Sequence, residues 1–464
     1  MKHRLILPCL LLAVALATAG LSGCGAASRT PAPEFSSGAD AAPSPDAAET
    51  ASPAPVTGEA AWPVPETGID FAPIQDFAPA GVVRAISDSQ PGDGSDTGYY
   101  AIDRLQDGSA RITFVDYATK QQIVLCSQPN CTHTSDACPA WYSYDNALRV
   151  YPLGDQLVVL QGGSFLPQDW LGDRAVPRVD ILNADGSGRH TAFTFPSGCW
   201  VSTMPHYHMA RDDENLYFVI QQTTEAGDRQ AILCAAHAAS GQVFALCGLP
   251  EDETHLIGGT DGTLVLEYTP GINESMDAAP ADTQVVRLDL ATRQRIPLTS
   301  YPFGSALTAC DSEMFYLLSA GKVCSINLVD GSTAVEMPLT LPEGCSSIQR
   351  MYGVFDGRLV AATWTDGAMN TPGGLRFFAI DPTTGARTDL PYTTGEENAL
   401  VPCQPMAETD TDFLCLAEQT SIAVTVAGAP EGQGQGSAAQ YRYALVPKAD
   451  FWAGTADMTP LPLN

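Results

Sequence analysis

Three cysteines and a histidine fall close together as Cys126, Cys131, His133 and Cys138, in the spacing Cys-x4-Cys-x-His-x4-Cys. Three soft thiolates and an imidazole are a donor set that closes a tetrahedral Zn²⁺ site, and the short spacers with Pro129 keep the loop tight enough for them to converge. Four protein ligands leave no open position, so a metal held this way is structural and not catalytic. The same residues have two other outcomes. Outside the cytoplasm two of the thiols oxidise to a disulfide, with the third free or paired elsewhere, or the loop stays reduced and empty. Zinc is the one candidate cofactor.

Fewer residues elsewhere suggest chemistry. His206 and His208 lie two apart and share a face if extended, half of a metal site near an axis or two surface histidines. Glu408, Asp410 and Asp412 likewise share a face, as a weak Ca²⁺ site or, more simply, a solvated turn before a strand. The eight other cysteines beyond the loop sit mostly in apolar runs, where a thiol behaves as a small hydrophobe. Cys234 with Cys247, or Cys310 with Cys324, are conceivable bridges across one structural unit. No nucleophile elbow, zinc-protease helix, Walker loop or EF-hand is present. No catalytic residue is assigned.

The elements that must carry the cysteine loop repeat. Seven short apolar runs recur about 44 to 59 residues apart: Tyr99–Ile102, Gly154–Leu160, Glu214–Ile220, Gly262–Leu266, Ser312–Leu318, Gly357–Ala361 and Asp412–Leu416. Several are followed by a second run that ends in a polar turn, as at Asp185-Gly186, Ala291-Thr292, Asp330-Gly331 and Thr384-Gly385. Asp-Gly and Thr-Gly supply the positive φ of tight hairpins. Four-stranded antiparallel units of about 50 residues are the signature of β-propeller blades. The sequence therefore predicts an all-β propeller over 68–464 with about seven four-stranded blades, six or eight being the alternatives. A pair of β-sandwiches or a β-helix is the competing fold. The pattern resembles bacterial propellers of the quinoprotein and Tol-associated type, generically and without a sequence hallmark.

The N-terminus states an address. Lys2 and Arg4 precede an apolar run from Leu5 to Ala19, too short to span a bilayer, which needs roughly 20 residues. It has signal-peptide length, and Leu21-Ser22-Gly23-Cys24 resembles the lipobox of bacterial lipoproteins. That resemblance implies a signal peptide over 1–23, acylation of Cys24 and an extracytoplasmic domain anchored to the cell membrane by its lipid chains. Residues 24–67 read as a disordered stalk: 25–66 hold eight Pro and twelve Ala, too little apolar bulk to offset ordering entropy. The cysteine loop, spanning 126–141, is similar to one in uncharacterised Gram-positive-type surface lipoproteins, where it implies a structural element with no activity attached. Residues 427–439, rich in Gly and Gln, read as a long loop in the last repeat.

With 53 acidic and 23 basic side chains the chain carries −30, and losing Lys2 and Arg4 takes this to −32. That field excludes nucleic acid as a partner. The expected function is a monomeric binding or scaffolding module for a protein, peptide or glycan. The alternative is a glycan lyase or hydrolase acting at the channel mouth, and a third reading is a structural or sensory partner of a membrane protein. Fold does not choose among them.

Overall fold

Along each of the seven apolar runs, alternate side chains enter two different cores. Tyr100 and Ile102 pack with Val150 and Val159, whereas Tyr99 and Ala101 pack with Leu414 and Tyr443. Leu216, Phe218 and Ile220 go one way, and Tyr217 and Val219 the other. Side chains alternate across a strand, so a sheet covered on both faces needs apolar residues at odd and even positions alike. That is why these runs are continuous and not half polar. The seven hydrophobic clusters are the seven seams between neighbouring blades, and the last joins blade 7 to blade 1.

The computed structural model describes residues 58–464 except 87–91, 164–168, 202–208, 225–226, 251–253, 273–280, 320, 370, 372 and 396–399. They form a seven-bladed β-propeller of antiparallel sheets. The first strands approach one another around the axis. Blade 1 uses Asp93–Gly94, Gly98–Arg104, Ala110–Asp116 and Gln121–Val124. Blade 2 uses Arg149–Leu153, Gln156–Gln161, Arg178–Asn183 and His190–Thr194, and blade 3 Met209–Arg211, Asn215–Thr223, Arg229–His237 and Val243–Leu249. Blades 4, 5 and 6 begin with His255–Thr260, Ala306–Cys310 and Arg350–Phe355. Blade 7 has three strands, Pro405–Glu408, Asp412–Thr425 and Gln435–Pro447. The last two form a long hairpin, and residues 435–439, expected as loop, belong to its returning strand.

Two turns recur because the same side chains make them. Between third and fourth strands, the fifth residue returns its N–H to the carbonyl of the first: Lys120 to Asp116, Gly241 to His237, Arg293 to Asp289, Gly331 to Asn327 and Gly385 to Asp381, all at 2.8–2.9 Å. Each fifth residue has positive φ, from 54° to 73°, which glycine adopts freely. Between first and second strands, Asp212 accepts from the N–H groups of Glu214 and Asn215 and from the Tyr217 hydroxyl. Asp311 repeats this with Glu313, Met314 and Tyr316.

The ring closes without a shared blade. Past the short helix Lys448–Ala453, Leu461 donates its N–H to Tyr443 of blade 7. The Gln122 N–H of blade 1 then bonds Pro462, and Asn464 bonds Gln122 in return. Residues 58–67, which composition assigns to the stalk, lie on the propeller instead. Glu59–Ala60 extends the outer edge of blade 4 against Arg295 and Gln294, and the Thr67 carbonyl accepts from Gln222. The strap continues inward, where Ala80 N–H bonds Asp212 and Asn215 bonds the Ala78 carbonyl. Arg84–Ile86 then pairs with Met209–Arg211 at the axis. Composition misjudged this strap because a few scattered apolar anchors, Trp62 against Tyr268, Phe71 against Phe193 and Phe77 against Phe244, fasten it together with blade side chains that bond its backbone.

Candidate metal centre and axial cavity

The cysteine loop interrupts the outer edge of blade 1. Gln121–Val124 pairs with Thr113–Asp116, and after the loop Trp141–Tyr142 resumes on Ala110 and Arg111 of the same strand. Leu125 donates its N–H to the Ile112 carbonyl at 3.0 Å, and Ile112 donates its N–H to the Ala140 carbonyl at 2.9 Å. Within the loop, Cys131 N–H bonds Gln128 and Cys138 N–H bonds Ser135. Asn130 and His133 take positive φ, 59° and 54°. These reversals fold the four candidate ligands onto one point.

The ligand atoms of Cys126, Cys131, His133 and Cys138 all lie within 4.8 Å of one another. His133 Nδ1 is 3.4 Å from Cys138 Sγ. A tetrahedral zinc with Zn–S near 2.3 Å sets its sulfurs about 3.8 Å apart, so a contraction of roughly 1 Å or less would complete the shell. Cys138 is fully buried in the seam between blades 1 and 2, with Cys126 and Cys131 packed against that core. Burial pushes the Cys138 thiol up to about 12. The His133 backbone N–H holds the Cys131 thiol below its ordinary value. The donor set and its convergence fit a structural metal.

Blade 2 clamps this loop. Arg189 donates to the carbonyls of Pro139, at 3.2 Å, and Trp141, and its guanidinium lies 4.8 Å over the Tyr142 ring. Asp136 is 3.9 Å away. A Cβ on Gly186 would come within 2.3 Å of the Leu125 carbonyl, so only glycine lets the blade 2 hairpin come this close. Sequence reasoning missed Arg189; its one signal was a lone basic residue beside an Asp-Gly turn.

All eleven described cysteines are unpaired. Neither suggested bridge across a blade forms. Cys247 sits opposite Leu233, a bulge separates Leu233 from Cys234, and the two thiols enter different seams. Cys310 and Cys324 lie on strands separated by a third, about 9.6 Å across, beyond the roughly 7 Å limit between bridged Cα atoms.

A second candidate site lies on the axis. A cavity of about 590 Å³ is lined by Val82–Ile86 of the strap and by first strands of blades 4 to 7. Bulges at Ile257, Tyr352 and Met406 interrupt the pairing of three of these strands at matching places. A bulge re-aims side chains and leaves its extra residue out of the ladder. Carboxylates mark the turns at the cavity edge: Asp311 and Glu313 in blade 5, Asp356 in blade 6 and Glu408 in blade 7. Lys448 lies 3.6 Å from Asp356 and 3.4 Å from Glu408. Glu408 also accepts from the Asp356 N–H.

Of the acidic trio expected near here, Glu408 is therefore tied to Lys448. The Asp412 carboxylate takes the Thr411 hydroxyl, and its N–H bonds Thr409. They form a turn and an ion pair, not a shared cation site. His206, His208 and Cys24, with the whole of 1–57, fall outside the described residues. Among the described residues, no helix is long and apolar enough to cross a membrane.

No protein-family model matches the sequence, and no curated protein matches it. Solved structures share the propeller at low identity. The β-propeller domain of the Trilobed protease from Pyrococcus furiosus is 10% identical, over 82% of this chain and 99% of that one, with a TM-score of 0.43. TolB from Acinetobacter baumannii is 12% identical over 77% of each chain, at 0.34. A puromycin hydrolase is 11% identical over 86% of this chain, at 0.43, and the match spans 56% of its length. The likeness concerns the fold alone.

Proposed function

We propose that this chain is a lipid-tethered, extracytoplasmic propeller that binds a protein, peptide or glycan at its axial cavity. The observation that carries this reading is the cavity itself: about 590 Å³, within the range of ligand pockets, with apolar wall residues such as Ile86, Ile257 and Met351 and a carboxylate-rich edge. The edge carboxylates speak for binding over glycan hydrolysis, because Asp356 and Glu408 share Lys448 and are not a free acid pair. The test is a glycan array and a peptide library probed with the full chain in detergent, beside a Met351→Trp variant that fills the cavity. A ligand that binds the parent and not the folded variant supports the reading. Binding that ignores the substitution overturns it.

In this proposal Cys24 carries the lipid and residues from 24 to the strap form the tether. A chemically tagged fatty acid fed to cells should label the chain, and Cys24→Ser should abolish the label and release the protein from membranes. The same proposal assigns Zn²⁺ to Cys126, Cys131, His133 and Cys138, as a structural ion that ties the loop shut.

A further inference from the structure

Resting on the binding reading above, we propose that the axial cavity takes an extended peptide bearing a basic side chain, held by β-strand addition to the inner edges of blades 5 to 7. The propeller already seats one extended segment in this way. Arg84–Ile86 of the strap pairs antiparallel with the axial edge of Met209–Arg211 in blade 3, and it forms one wall of the cavity.

The corresponding edges of Ala306–Cys310, Arg350–Phe355 and Pro405–Glu408 pair, among the described strands, only with the second strand of their own blade. Each therefore offers a row of backbone N–H and C=O groups to the cavity, the template that strand addition uses. Tyr352 and Met406, the extra residues of two bulges, pack into the seams on either side of blade 7 and also line the cavity, so the side chains of an added strand, which alternate in direction, would meet them on one face.

Charge selects the side chains. Asp93 is answered by Arg211 at 2.5 Å. Asp311, Glu313, Asp356 and Glu408 remain, against Arg84 and Lys448. The excess is negative at the cavity edge, in a chain of net −30. A lysine or arginine entering there meets carboxylates from three blades; an acidic peptide meets repulsion.

The experiment uses fluorescein-labelled Val-Lys-Val-Lys-Val, its Glu-for-Lys counterpart, and a Lys version methylated on alternate backbone nitrogens, within a library of basic pentapeptides. Each is titrated by anisotropy against the full chain in detergent. The expected result is saturable binding of basic peptides, weaker by about tenfold or more for the acidic counterpart and for the methylated backbone, which lacks the donors. Glu313→Lys, at an exposed position, should weaken the basic peptide several-fold at unchanged melting temperature. Equal binding of the methylated backbone, equal binding of both charges, or no saturable binding across the library overturns the inference. An oligosaccharide that binds the parent and is lost in Met351→Trp would overturn it too, while leaving the binding reading in place.

Discussion

Leu125 and Ala140 together fill the hydrogen-bonding place of a single residue. Opposite one residue of an antiparallel ladder, a continuous strand supplies both a donor and an acceptor from one position. Here Ile112 receives the N–H of Leu125 and gives its own to Ala140. The cysteine loop between them is a greatly enlarged bulge whose neck is already closed before any ligand binds.

A closed neck lowers the entropic cost of gathering the four ligands, so zinc should bind tightly and at one ion per chain. Free zinc at a hundred times its Kd adds about 2.7 kcal/mol to stability. Elemental analysis and melting curves with and without chelator check this. Cys138→Ser should cost more than Cys131→Ser, because only Cys138 is fully buried. Absence of metal, with loop thiols blocked to alkylation until reduced, would return the loop to the disulfide reading.

Arg189→Ala should destabilise the seam between blades 1 and 2 by about 2–3 kcal/mol. It removes a charged donor from two carbonyls and a cation from over Tyr142. Lysine should restore less than half, because an ammonium lacks the planar fork. Urea denaturation gives the magnitude, and hydrogen exchange at Trp141 and Tyr142 gives the location.

Asp212→Ala should cost about 3 kcal/mol or more, and Asp311→Ala about half as much. Asp212 is buried and serves Ala80, Glu214, Asn215 and Tyr217, all left without an acceptor. Asp311 is half-exposed and serves three groups. Limited proteolysis near Ala78–Gly81 should quicken in Asp212→Ala alone, since only that aspartate fastens the strap.

Stability should fall at both ends of the pH scale, for different residues. Burial raises the phenol pKa of Tyr99, Tyr142, Tyr217 and Tyr443 above the ordinary value near 10. Their folded values exceed the unfolded ones, so their contribution is whole below pH 10 and declines above it. The Asp381 carboxyl is held at about 2 by the Thr383 hydroxyl and the N–H groups around it. Its folded value lies below the unfolded one, so its contribution is present above pH 4 and lost as pH falls toward 2. Melting temperatures across pH check both limbs, and Asp381→Asn should flatten part of the acid one.

What the sequence displayed was set by burial on both faces. Leu157, Phe218, Leu264, Phe315, Leu359 and Phe413 are all fully buried in second strands, so each repeat announced itself as an apolar run at the expected spacing. Turn aspartates such as Asp289 and Asp381 announced the hairpins. The first strands were faint because they are short, three of them are bulged, and those of blades 4 to 7 line a cavity on the axis. Cys126, Cys131, His133 and Cys138 were legible as a group since they are local in sequence. Arg189 and the cavity were not, because residues far apart along the chain build them.

Strand pairing resumes across Ile112 as if nothing had intervened, and this separates two kinds of evolutionary freedom. The ring is held by second and third strands, the axis is furnished by first strands, and the rim tolerates an appendage at a neck two hydrogen bonds wide. A lineage that trades this loop for a short turn keeps the ladder and leaves the axis untouched, but must refill the place of Cys138 in the seam between blades 1 and 2. An engineer who joins Leu125 to Ala140 through a short turn should recover a plain blade.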